Sequence, residues 1–444
     1  MYNHDNQKLI VALDIGTTKV VAVAGVMTEL KMVEVLGYGK VKSDGVKRGV
    51  VSNIDMTAKA ISNAIDMAEK RAKHEFQSVY VGIAGQHIKS LHHRGIDRRD
   101  NPEKEITHEE IEKIVTDMYK LGLPPGDKII HVVPQEYTID GEEGIKEPVG
   151  MFGSTIEGNF HVITGKVAAA NNILRCIEKA GLEAKEMVLE PIGSASAVLS
   201  EEELKAGVVM VDIGGGTSDV TIFQDGIIRH TAVIPLGGNI ITSDIKEGCS
   251  VMIDQAEKLK VKFGRALAEE IVDNRIITIP GLKGRPPREI SELNLARIIQ
   301  ARMEEILDFV IWEIRRSGYE NKLLAGMVLT GGGALLKDIV ALAEYHTGLS
   351  SRVGTPTEYL AHQRDTELRS PIYATSIGIL RYGLTQLHKN DWQKELVLET
   401  TNQKPEEHSE DDGNRDHNGG LSKVMNRGFR IIKDFFEASP DSEL

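Results

Sequence analysis

One pattern occurs twice in this chain: an apolar run ends in Asp-Ile-Gly, turns on glycine and hydroxyl residues, and resumes as a second apolar run. The fuller copy is Val208–Phe223, VVMVDIGGGTSDVTIF. Its β-branched opening reads as a buried strand. Gly214, Gly215 and Gly216 read as a tight turn, and Val220, Ile222 and Phe223 as the return strand of a hairpin. Glycine lets such a turn take φ > 0 and approach a ligand closely. Successive bare N–H groups form an anion nest, and Thr217 and Ser218 add hydroxyl donors. Asp212, at the strand end, can hold a hydrated Mg²⁺, which takes few protein carboxylates and keeps its waters. The chemistry expected is Mg–nucleotide phosphate binding, although three glycines alone also fit an ordinary hairpin.

The second copy is Leu9–Val23, LIVALDIGTTKVVAV. Asp14 matches Asp212, Gly16 matches Gly214, and Thr17 and Thr18 take the turn. Lys19 adds a cation that can reach a phosphate. Two copies about two hundred residues apart suggest two similar halves facing one ligand. A third cluster, Gly331, Gly332 and Gly333, lies between a strand (325–329) and a helix (335–347), where close backbone approach to a base or sugar is expected. None of the three is a P-loop or a G-x-G-x-x-G fingerprint.

In this order, DIGTT, DIGGGTSD and LTGGGA resemble the two phosphate loops and the adenosine loop of the actin-like ATPase superfamily. EPIGSASA (190–197) and ATSIGIL (374–380) resemble its two connecting helix starts. Gln255-Ala256-Glu257-Lys258-Leu259-Lys260 resembles the helix whose Glu and Lys contact the ribose, and Gly237 and Gly238 sit in a segment like the one that closes the second phosphate side. The resemblance covers about residues 8–388. It implies an α/β, two-domain fold of duplicated ribonuclease-H-like halves with ATP and Mg between them. Asp14 and Asp212 would hold the metal through water, Glu257 and Lys260 would meet the ribose, and Gly332 and Gly333 the adenine. Glu190 lies where hydrolysing relatives carry a water-positioning Glu or Gln; a helix-entry carboxylate favoured by the helix dipole fits the same position. Slow hydrolysis, or binding without useful turnover, both fit.

The length allows two or three domains. A net charge of −13 argues against general nucleic-acid binding. Cys176 and Cys249 make no metal spacing, and a reducing compartment fits them best. Cys176 falls in an apolar helical pattern and reads as a buried small hydrophobe. The polar N-terminus lacks a secretory core, and no run approaches the ~20 apolar residues of a spanning helix.

Residues 8–40 read as a β-meander, followed by a helix over 56–73 with Asp55 as N-cap. Residues 86–165 depart from the actin or MreB pattern. Thr107 and Glu110 form a capping box for a helix to about Leu121, and short strands are expected over 129–133, 136–139 and 160–164. This insert, with its Pro…Tyr…Ile-Asp-Gly…Pro-x-Gly-Met-x-Gly signature, resembles that of the bacterial cell-division FtsA family.

From about Gln403 to Gly420 the chain is polar and acidic and reads as a disordered linker. Leu421, Val424, Met425, Phe429, Ile432, Phe435 and Phe436 then recur at three- and four-residue steps, one stripe of a helix. Lys423, Arg427, Arg430 and Lys433 lie off that stripe. Such a helix is too short to span a bilayer and suits the interface of an anionic leaflet, each basic residue adding ~1 kcal/mol there. Docking on a partner or on the chain's own body fits the same stripe.

The expected division is a first actin-like domain (1–85, 166–200 and 372–388), the insert (86–165), and a second actin-like domain (201–371, outer part about 230–316). A linker (389–420) and a membrane-targeting helix (421–438) follow. The resemblance implies a polymer that binds the FtsZ C-terminal tail, itself and other division proteins at the cytoplasmic face of the membrane, at the septum. A soluble actin-like ATPase or sugar kinase, or a pilus-assembly ATP-binding protein, is the alternative.

Overall fold

The structure, a computed structural model, describes residues 8–280, 286–361 and 366–387. The expected linker (389–420) and stripe helix (421–438) lie outside these residues.

The chain divides into two compact units. The first, built mainly from Met1–Ser90 and Thr164–Arg381, carries two five-stranded sheets of the same topology. In the N-terminal half, β1 (Ile10–Ile15), β2 (Lys19–Met27) and β3 (Val33–Lys42) form an antiparallel meander. A short ribbon, β4 (Val46–Lys47) and β5 (Val50–Val51), leads into α1 (Ile54–Ala72). β6 (Ser78–Ile83) then lies parallel to β1. After the insert, α3 (Val167–Lys179) returns the chain to β11 (Glu183–Leu189), parallel to β6. The order is β11-β6-β1-β2-β3.

The second half repeats this order as β14-β13-β12-β17-β18. Two short helices, α4 (Glu190–Val198) and α5 (Glu201–Ala206), lead in. β12 (Val208–Ile213), β13 (Ser218–Gln224) and β14 (Ile227–Ile234) form the meander. Then come α6 (Gly238–Gly248), α7 (Ile253–Phe263), a ribbon of β15 (Ile276–Ile279) and β16 (Arg288–Ser291), and α8 (Glu292–Ser317). β17 (Met327–Thr330) pairs parallel with β12, and after α9 (Ile339–Thr347) the strand β18 (Ser351–Val353) pairs parallel with β17. A last helix occupies 374–387.

The sheets form where apolar β-branched runs are covered on both faces, so they show no alternation: β1 and the first four residues of β12 are buried throughout. α8 covers the second sheet with Leu295, Ile299, Met303, Ile306 and Val310, all fully buried at helical spacing. Ser291 caps its first turn, accepting from the Asn294 N–H, and Gly318 closes it at φ +76.

The second unit contains Leu91–Pro124 and Ile129–Ile163. Its sheet joins β7 (Lys89–Arg98), β10 (Thr155–Lys166), β8 (Asp127–Ile139) and β9 (Glu142–Ile145), in the order β7-β10-β8-β9. α2 (His108–Met118) packs Ile111, Ile114, Val115 and Met118 into one core with Ile129, Val132, Tyr137, Ile156 and Phe160. The capping box is formed in both directions. Arg99, its side chain 2% exposed, pairs with Glu110 at 2.8 Å and donates to the carbonyls of Lys104, Glu105 and Gly153.

Several local expectations are corrected. Asn53, not Asp55, caps α1, accepting from the Met56 N–H at 2.9 Å. The Gly45 carbonyl takes the N–H groups of Ser52 and Asn53 and sets the helix entry, while Asp55 pairs with Lys179 at 2.5 Å. α2 stops at Met118. The two strands expected over 129–139 are one, and β7 was not expected. α9 begins at Ile339, after a 3-10 turn over Gly332–Leu335. Among the described residues no helix is long and apolar enough to cross a membrane.

Candidate functional site

The two Asp-Ile-Gly hairpins are equivalent in detail. Ile15 pairs with Val20 and Ile213 with Ser218, leaving four-residue turns. The Gly16 N–H donates to the Lys19 carbonyl at 2.9 Å, and the Gly214 N–H to the Thr217 carbonyl at 2.9 Å. The turns touch each other: a Cβ on Gly215 would lie 2.3 Å from the Thr18 Cγ2, and one on Gly216 2.6 Å from the Thr17 Oγ1. Gly16, Gly214, Gly215 and Gly216 do not occupy the left-handed region. Glycine is required at 215 and 216 because the opposite hairpin comes so close, and not for a positive φ as expected from the sequence.

The second turn is roofed by the start of α6. Gly237 is the N-cap, the Gly238 N–H donates to the Gly214 carbonyl at 2.9 Å, and the Asn239 N–H to the Gly215 carbonyl at 2.8 Å. Lys260 on α7 donates to the Gly238 carbonyl at 2.8 Å and to Thr242 at 2.7 Å, and pairs with Glu257 at 2.8 Å. Glu257 also accepts from Thr242. Glu257 and Lys260 are thus a preformed pair beside the turn. Thr217 is buried in the turn, and the Ser218 hydroxyl is turned inward, donating to the Leu236 carbonyl at 2.9 Å.

Four carboxylates gather at the hairpin bases. Asp14 is 3% exposed, with the Lys19 Nζ 3.9 Å from its Oδ2. Burial raises its pKa, Lys19 opposes, and Asp212 adds to the rise. Asp212 is raised by burial and eased by the Ser194 hydroxyl, which donates at 2.8 Å, and by Lys19. The Thr375 hydroxyl also donates to Asp212, at 3.2 Å, and lies 3.0 Å from the Ser194 Oγ. Asp219, directly across the ladder from Asp212, is pushed up to about 8 by burial and by Asp212. Glu190, the first residue of α4, is raised well above the carboxylate range by burial, then by Asp14, Asp219 and Asp212.

Such mutual repulsion between buried carboxylates is what a divalent cation relieves. Among the described residues no three acidic, His or Cys side chains are close enough to ligate a metal together. Two buried carboxylates, Asp14 and Asp212, suit a cation that keeps most of its water shell.

α4 and the helix over 374–387 cross at Gly193 and Gly378, where a Cβ on Gly378 would lie 1.7 Å from the Gly193 carbonyl oxygen. This crossing brings Ser194 from one helix and Thr375 from the other onto Asp212. Gly331 (φ +78) abuts Asp212, a Cβ there falling 2.3 Å from its Oδ1; Gly333 abuts Ile213, and Gly332 faces open space.

The structure thus gathers the expected Asp14, Gly16, Thr17, Thr18, Lys19, Glu190, Asp212, Gly214, Gly215, Gly216, Thr217, Gly237, Gly238 and Gly331 around the two hairpins, with Glu257 and Lys260 on the rim. The expected membrane-facing residues from Leu421 to Phe436 lie outside the described residues. Sequence reasoning missed Asp219, Ser194 and Thr375. Asp219 was legible as an acid at a buried strand position; the two hydroxyls meet only through a helix crossing between distant segments.

The chain matches the family "Cell division protein FtsA" over residues 209–378 and "SHS2 domain inserted in FTSA" over residues 85–164. It is 42% identical over 381 residues to the cell division protein FtsA of Pseudomonas aeruginosa, covering 85% of this chain and 89% of that one. To the Escherichia coli K12 protein of that name it is 36% identical over 398 residues, covering 86% and 92%. Among solved structures, a chain of the PilM–PilN type IV pilus biogenesis complex shares the fold with a TM-score of 0.62 at 15% identity, covering 84% of this chain and 98% of that one. MreB5 of Spiroplasma citri bound to ADP does so at 0.50 and 15% identity, covering 88% and 98%.

Proposed function

The chain belongs to the FtsA family of cell division proteins, and on that premise we propose that it is a nucleotide-dependent polymer tying FtsZ filaments to the membrane at the division septum. Its two halves hold Mg-ATP between the paired hairpins. The observation that carries the nucleotide part is the matched pair of turns converging on Asp14 and Asp212. Backbone N–H groups of Thr17 and Thr18 and of Gly215 to Thr217 serve the phosphates, with Lys19 as counter-charge; the Gly16 and Gly214 N–H groups close the turns. Glu257 and Lys260 serve the ribose, and the open side of Gly332 the base. Asp14 and Asp212 hold a hydrated Mg²⁺, which supplies charge neutralisation at the phosphates. Glu190 stands where a carboxylate can orient water, and turnover is slow at most.

The anchoring part rests on the amphipathic stripe of 421–438, with its basic flank and the polar linker before it. The FtsZ tail docks on the outer part of the second domain, about residues 230–316. The soluble-kinase alternative lacks any second small-molecule motif in this sequence, and the likeness to the pilus complex is one of fold.

The direct test is titration with a fluorescent ATP analogue. Asp14→Asn and Asp212→Asn should each weaken Mg-dependent binding by about tenfold or more, the loss of one strong charge-assisted contact. Unchanged binding in both variants, or binding indifferent to Mg²⁺, would contradict the assignment.

A further inference from the structure

The β4–β5 ribbon holds a cluster of left-handed backbone that the assignment above does not use. Arg48 has φ +49 and Gly49 φ +73. Gly49 packs against Gly85, itself at φ +114, so closely that a Cβ on Gly49 would lie 2.6 Å from the Gly85 Cα. A long side chain in this region is strained and persists where the surroundings over-determine it, most often at functional positions. Glycine would meet the backbone requirement at 48 without strain, so an arginine there needs another reason.

The ribbon is tied to the first half. Gly45, just ahead of β4, accepts from Ser52 and Asn53, and the Gly49 N–H donates to the Thr17 Oγ1 at 3.1 Å. That bond uses an acceptor site of the hydroxyl and leaves its proton free to donate. The same turn reaches the second half: a Cβ on Gly216 would lie 3.1 Å from the Arg48 Cα. One short turn therefore touches both hairpins. Arg48 is exposed, and among the described residues its guanidinium has no hydrogen-bond or ion-pair partner, although four carboxylates collect at the hairpin bases.

We propose that Arg48 is a further nucleotide-binding residue, offering its guanidinium to the terminal phosphate of a nucleoside triphosphate held between the hairpins. This deepens the nucleotide assignment and rests on it. Lys19, the cation within the first hairpin, already stands beside Asp14. A triphosphate brings more negative charge than a diphosphate, and the planar guanidinium fork matches a phosphate face. Because the ribbon belongs to the first half and meets the second at Gly216, separation of the hairpins would carry Arg48 away. The residue thus favours the closed arrangement only when the terminal phosphate is present.

The test is equilibrium titration of the full chain with fluorescent ATP and ADP analogues in Mg²⁺, for wild type, Arg48→Gly and Arg48→Lys. Arg48→Gly should raise the melting temperature by relieving the backbone. It should weaken ATP binding about tenfold or more while changing ADP binding less than about threefold, and Arg48→Lys should restore part of the preference. Equal weakening for both nucleotides, or no change for either while wild type binds both, would overturn the role of Arg48. If wild type binds neither nucleotide, the nucleotide assignment itself fails and this inference with it.

Discussion

Two glycines on different helices decide how Asp212 is held. Gly193 and Gly378 let α4 and the helix over 374–387 cross backbone to backbone, and only then do Ser194 and Thr375 reach the same carboxylate oxygen. Gly378→Ala should therefore destabilise the chain by about 3 kcal/mol, an overpacked contact that backbone cannot relieve cheaply. It should also weaken nucleotide binding. Gly332→Ala should change stability by less than about 0.5 kcal/mol, because no atom lies within 4 Å of its added methyl. Urea unfolding of the two variants checks this. The residue-scale chemistry was legible only where it is local. Asp14 and Asp212 stand out because each ends an apolar strand next to its own turn. The Ser194–Thr375 contact joins residues 181 apart in sequence and leaves no local trace. The positive φ expected at Gly214–Gly216 was a wrong inference from composition, since a turn rich in glycine can need closeness alone.

Among the elements, the inserted subdomain carries an internal pH dependence. His131, on β8, is 5% exposed and neither ring nitrogen has a hydrogen-bond partner among the described residues. Burial lowers its pKa from 6.5 to about 4. The unfolded chain takes up a proton as pH falls through 6.5, whereas the folded one does so only near 4. Stability is therefore lost as pH drops across that window, on the order of 3 kcal/mol. His131→Leu should abolish this part of the loss and stabilise the insert near pH 5. Exchange protection of the β8 and β10 amides, measured for both proteins from pH 7 to pH 4.5, checks it. A gap between the two proteins that stays constant with pH would contradict it.

The same element shows what sequence can and cannot reveal about strands. α2 was readable because Thr107 and Glu110 sit three residues apart and cap each other. β7, KSLHHRGIDR, was not, because only Gly95 in it is buried and its strand state comes from pairing with β10. The strands expected over 129–133 and 136–139 leave Pro134 between them, yet β8 is continuous. The strand runs through Pro134, and β9 pairs only with Tyr137 and Ile139, so on that side no ladder bond is asked of residue 134.

At the scale of the whole molecule, duplication is the organising fact. Two sheets of one topology place equivalent Asp residues at the ends of equivalent strands, and the hairpins that follow meet. On the proposed assignment, a nucleotide seated there would contact both halves and so bias their closure. Repetition made this architecture legible in the sequence: two copies of one motif, then the helix starts at 190 and 374 in matching places.

The measurement that tests the central claim most directly is co-sedimentation of FtsZ with anionic vesicles in Mg-ATP. It would compare the full chain with a truncation ending at Gly420. FtsZ should pellet with lipid in the presence of the full chain and stay in the supernatant with the truncated one. FtsZ remaining soluble while the full chain is on the vesicles, or pelleting equally with the truncation, would contradict that claim.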